Sequence, residues 1–144
     1  MSWTRTLAHG LAEHLAAAGV GAYRPTGVYA DHETGIVLGA IPIHPPRVIA
    51  LTPYPLVDDV DQADSVLGLQ VRVRSGSGDP REALDLTDVV FEVLHGATHL
   101  NLAGTVVHLV QRAASIPMGR DESGRYEHAD TYRLTVHRPT PHRS

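Results

Sequence analysis

Leu67-Gly68-Leu69-Gln70-Val71-Arg72-Val73-Arg74, then Ser75-Gly76-Ser77-Gly78, then Asp79-Pro80-Arg81 through His95-Gly96, holds a strand, a loop and a helix in succession. Leu67, Leu69, Val71 and Val73 alternate with Gly68, Gln70, Arg72 and Arg74, so one face of the strand is apolar and the other polar. Ser75 to Gly78 has little side chain to bury and reads as a loop. Asp79 can cap a helix, Pro80 suits the first turn and Glu82 stands three residues after the cap. Gly96 is a stop, with His95 in the last turn. The helical stripe Leu84, Thr87, Phe91 and Leu94, widened by Leu86, Val89 and Val90, is expected to meet Leu69, Val71 and Val73 in one core.

A half-polar strand followed by a helix needs further strands and a second cover. Upstream, Trp3, Leu7, Leu11 and Leu15 recur every four residues, and Gly19-Val20-Gly21 ends the helix they define. Tyr23 to Thr34 reads as a polar loop and Ile36-Val37-Leu38 as a short strand. Pro42, Pro45 and Pro46 interrupt pairing before a strand over Arg47–Tyr54, which is apolar on both faces and so central. Leu56 to Ser65 reads as a loop rich in Asp58, Asp59, Asp61 and Asp64. Downstream, Thr98–Leu102 and Thr105–Val110 flank Ala103-Gly104 as a hairpin. Ser115 to His128 reads as a long polar connector, and Thr131–His137 as the final strand. The expected fold is α+β: a mixed or mainly antiparallel sheet with two amphipathic helices on one face. It forms one domain over 1–144, with a flexible tail from about residue 139.

The composition narrows function. Hydrophobic residues make up 42% and charged residues 19%, a globular balance. No apolar run reaches the roughly 20 residues of a membrane span, no signal-peptide pattern opens the chain, and there is no Cys for disulfides or thiolate sites. All 12 basic residues are Arg, and the net charge of −4 argues against a strong non-specific grip on nucleic acid. Protonating all ten His would carry the formal charge from −4 to +6.

Candidate chemistry is sparse. His95 and His99 stand four apart, a zinc spacing on a helix, but Gly96 falls between them and the glutamate of a zincin is missing, so no metal is expected there. The acidic loop lacks the glycine and closing glutamate of a calcium loop. Ser77 has no nucleophile-elbow context, and Gly76-Ser77-Gly78 has no lysine to complete a phosphate loop. No catalytic residues and no cofactor are expected. Within Gly119–Glu127, Arg120, Asp121, Arg125 and Tyr126 are candidates for an interface arm, with Asp58, Asp59, Asp61 and Asp64 as carboxylates for its arginines to grip.

Several stretches resemble a family of minor capsid proteins of tailed phages and prophages, similar to tail terminators. They are Gly19–Tyr23, Gly35–Leu38, Leu69–Arg74 with Asp79-Pro80-Arg81, Leu94-His95-Gly96, Gly119–Tyr126 and Tyr132–Pro139. The resemblance implies a tail-terminator-like fold and a structural, non-enzymatic virion protein assembled in the host cytoplasm. It implies a homo-oligomeric ring, usually a hexamer, at the head–tail junction, between the tail-tube protein and the head connector protein. Such a ring ends tube growth and lets DNA pass without sequence-specific binding, and no membrane is involved. The alternatives are another connector or stopper of the neck, or a metalloenzyme with a histidine site.

Overall fold

The computed structural model describes residues 1–144. Helix α1 covers Trp3–Ala17; the Ser2 side chain caps it by accepting the Arg5 N–H at 3.2 Å, and Gly19 takes a φ of +82° beyond its end. Strands β1 (Ala22–Tyr23), β2 (Thr34–Leu38), β3 (Arg47–Asp58) and β4 (Asp64–Arg74) precede helix α2 (Pro80–Leu94). Strands β5 (Thr98–Leu102), β6 (Thr105–Arg120) and β7 (Tyr126–His137) follow it.

All seven strands join one sheet in the order β1-β2-β3-β4-β7-β6-β5. The β1–β2 and β2–β3 pairs are parallel and the other four antiparallel. The mixed sheet and its two helices give the α+β class that the sequence implies. Leu7, Leu11 and Leu15 of α1 share one core with Leu69, Val71 and Val73 of β4 and with Tyr132, Leu134 and Val136 of β7. Leu86, Val90 and Leu94 of α2 enter the same core, so both helices lie on one face. The sheet curls around α1, which touches β1 and β5, its two outermost strands.

Both faces of β3 are covered. Ile49 and Leu51 join the helix-side core, and Val48 and Ala50 are buried on the other side. There the Pro-rich segment 39–46, which links parallel β2 and β3, is held against the sheet by Arg74. Its guanidinium donates to the carbonyls of Pro45 at 2.7 Å, Pro46 at 2.8 Å and Ile43 at 3.2 Å.

Five expectations change. The buried arc of α2 is Ala83, Leu86, Thr87, Val90 and Leu94. Leu84 is 53% exposed and Phe91 stands outside the core, each one residue, about 100°, round the helix from a buried position. Both arcs are amphipathic, so periodicity does not choose between them. Glu82 does not close a capping box; its carboxylate accepts the Gly76 N–H and the Ser77 hydroxyl and so latches the loop before α2. The acidic loop shortens to 59–63, because β3 runs to Asp58 and β4 starts at Asp64.

The fourth change is the largest. Ser115 to His128 is not a connector: β6 runs through Arg120 and β7 starts at Tyr126, leaving a turn of 121–125. Pro117 is tolerated because this part of β6 is an outer edge, and register shifts at Arg112/Ala114 and Pro117/Gly119 absorb the irregular sequence. Finally, the residues expected as a loose tail turn back on the sheet. Arg143 donates to the carbonyls of Asp59, Ala63 and Arg138 and to the Ser65 hydroxyl.

Candidate assembly surfaces

The turn between β6 and β7 is closed by Asp121. Its carboxylate accepts the backbone N–H groups of Ser123 and Arg125, both at 2.9 Å, and these bonds hold its pKa below the ordinary carboxyl value. Gly124, at φ +78°, supplies the left-handed residue the turn requires. Arg125 is drawn inward: its Nε is 3.2 Å from Asp121 and its Nη1 donates to the Ile43 carbonyl at 3.4 Å. Tyr126 packs against the edge of the core, with the Arg120 guanidinium 5.9 Å from its ring. Arg120 is exposed and makes no ion pair, so it is the free cation of this tip.

The aspartates occupy the other end of the sheet. Arg74 of β4 pairs with Glu127 of β7 beside the turn, whereas Asp64 pairs with His137 at the far end of the same two strands. At about 3.3 Å per residue the two ends are on the order of 30 Å apart. Asp58 accepts the Ser65 hydroxyl at 2.7 Å, and Asp59 accepts the N–H groups of Asp61 and Gln62, which lower its pKa. Asp61 is exposed. Asp64 stands 3.1 Å from His137 Nδ1 and 3.3 Å from His108 Nε2, contacts that hold its pKa below the ordinary value. Within one chain, therefore, the arginine tip and the aspartates are kept apart.

Two features have little sequence signal. The first is the open edge of β6. Its partner β5 reaches only to Leu109, so no strand lies outside residues 113–120, where Ile116 and Met118 are 57% and 50% exposed. The unpaired N–H and C=O groups of such an edge can pair with another chain. The second is a polar cluster around Asp130, which is 2% exposed. Ser115 Oγ donates to Asp130 Oδ1 at 2.5 Å and stands 2.7 Å from His128 Nε2, and Arg112 reaches the other carboxylate oxygen at 3.4 Å. Ser115 and Asp130 both meet His128 at Nε2, the carboxylate at 3.4 Å, whereas a Ser–His–Asp triad places serine and carboxylate on opposite ring nitrogens.

His95 and His99 serve different elements. His95 Nδ1 accepts the Arg112 N–H at 3.0 Å and its ring stacks on Phe91, while His99 stands in β5 at φ +53°. A cavity of about 860 Å³ lies between α1 and the start of the sheet; Arg5, His9, Tyr23, Arg24 and His44 are among its lining, and no carboxylate is. No helix is long and apolar enough to cross a membrane.

Charged end loops and an open strand edge are the surfaces by which a chain of this kind can join other protein chains. More particularly, the chain belongs to the bacteriophage tail terminator family, whose sequence model matches residues 14–138. That membership makes it a structural virion protein of the phage tail. Among curated protein sequences none matches this chain. A chain from the virion of a native gene transfer agent particle shares its fold, with a TM-score of 0.59 at 19% identity over 70% of this chain and 78% of that one.

Proposed function

We propose that this protein is the tail terminator of a long-tailed phage or prophage particle. Copies join into a ring, a hexamer, at the head-proximal end of the tail, stop growth of the tube and receive the head connector protein. DNA passes through the lumen without sequence-specific binding, and the role needs no cofactor and no catalytic step. The observation that carries the reading is the family match over residues 14–138.

Physical features support it. A lumen through which DNA slides should not hold phosphates tightly, and a chain of net charge −4 with no lysine suits that demand. A ring needs heterologous contacts, one patch of a subunit against a different patch of the next. The tip with Arg120, Asp121, Arg125 and Tyr126 and the end with Asp58, Asp59, Asp61 and Asp64 are two such different patches, at opposite ends of the sheet. Arg120 is the leading anchor, since Arg125 is committed within its own turn. The open edge of β6 lies beside the tip and extends the same surface.

Size-exclusion chromatography with light scattering, and negative-stain images of the chain mixed with tail tubes, test the proposal. Rings that cap tubes of uniform length are expected. Arg120→Glu should keep the parent's melting temperature and lose the rings. A chain that stays monomeric beside tubes and leaves their length unregulated refutes the terminator role. Rings that form equally well with Arg120→Glu refute the anchor.

A further inference from the structure

Asp64, His108 and His137 come from three adjacent strands and meet on the sheet face away from the helices. Asp64 and His137 are direct partners in the β4–β7 ladder. His108 reaches them through an irregularity in β6: Val107 pairs with Val136 and Leu109 with Thr135, so His108 is the unpaired residue of a bulge. Val107 faces the helix-side core, so its neighbour His108 faces outward, and the extra residue returns Val110 to the core.

The three side chains offer His108 Nε2, His137 Nδ1 and one Asp64 oxygen, all within 4.8 Å of one another. The carboxylate oxygen is 3.1 Å from His137 Nδ1 and 3.3 Å from His108 Nε2. Tetrahedral zinc, with bonds of about 2.0–2.1 Å, separates its ligand atoms by about 3.3 Å. Two of the three separations already match, and the third, between the two imidazole nitrogens, is within 4.8 Å. Two imidazoles and one carboxylate suit zinc and its neighbours among the transition metals, whereas magnesium and calcium favour all-oxygen shells. The side chains are 53%, 39% and 48% exposed, so an ion can enter without opening the fold.

We propose that Asp64, His108 and His137 bind one divalent transition-metal ion of the zinc class, with a fourth position open to water. The ion clamps β4, β6 and β7 together at the end of the sheet opposite the β6–β7 turn. The site shares Asp64 with the acidic end of the sheet and involves neither His95 nor His99.

Isothermal titration of the full-length, metal-stripped chain with zinc chloride tests this, with cobalt(II) absorption as the second readout. One ion per chain is expected, with cobalt bands of a four- or five-coordinate nitrogen and oxygen site and a melting temperature that rises with zinc. His108→Ala and His137→Ala should each abolish the binding and the bands while keeping the parent's circular dichroism. The double variant His95→Ala, His99→Ala should bind as the parent does. Absence of binding, or binding and bands unchanged by His108→Ala and His137→Ala, overturns the proposal.

Discussion

Tyr132 carries the most unusual single atom in the core. Its side chain is wholly buried, yet its hydroxyl has no hydrogen-bond partner. Burial, with the Asp130 carboxylate nearby, drives the phenol pKa well up, so the group stays neutral and unpaired. A buried hydroxyl without a partner is destabilising, whereas the ring itself fills the core. Tyr132→Phe keeps the ring and removes the unsatisfied oxygen, and should raise stability by about 1 kcal/mol. Denaturant unfolding measures it, and a lower midpoint would show that the hydroxyl does useful bonding. Arg74 is the opposite case. The strand pattern places it on a wet face, but it is 4% exposed and spends its donors on three carbonyls of the Pro-rich segment. Alternation reports which side a residue faces, not what a later loop lays over that side.

At the scale of elements, α1 lies tight against the β5–β6 hairpin. A Cβ on Gly10 would stand 2.9 Å from the Leu102 carbonyl carbon and 3.1 Å from the Ala103 nitrogen. Alanine in a helix interior gains up to about 1 kcal/mol over glycine, but a backbone cannot step aside as a side chain can. Overpacking of about 1–3 kcal/mol therefore wins, and Gly10→Ala should lower the melting temperature; a rise would show that the hairpin yields. The sequence does not announce this glycine, because nothing near it in the chain is its partner. Elements with local signals were legible: the Asp79 cap, the glycine stops, the Ala103-Gly104 turn and the alternation of β4. Elements that depend on a distant strand were not. Residues 113–120 have a broken pattern and a proline, and only pairing with β7 makes them a strand. The His108 bulge and the Asp130 cluster were hidden for the same reason, since register is not written in either strand alone.

At the scale of the whole molecule, the strand order gives β7 a special place. It lies between β4 and β6, and no other strand joins the two halves of the sheet. A chain stopped after residue 125 keeps both helices and six strands but has nothing in the central slot. It should show no cooperative thermal transition by circular dichroism; a sharp transition would mean that the halves close without β7. The same placement governs how fast the protein is made ready. The β6–β7 turn closes locally, but Asp64 must meet His137 across 73 residues. Loop entropy sets that encounter back by about 2 kcal/mol relative to a five-residue turn. The completed sheet therefore waits on a rare long-range meeting. Until it happens, β4 exposes an unfilled flank, and newly synthesised chains compete to fill it with one another's strands. Yield at high expression should therefore fall as chains meet before their own strands do, and slower synthesis or lower temperature should favour the native partner.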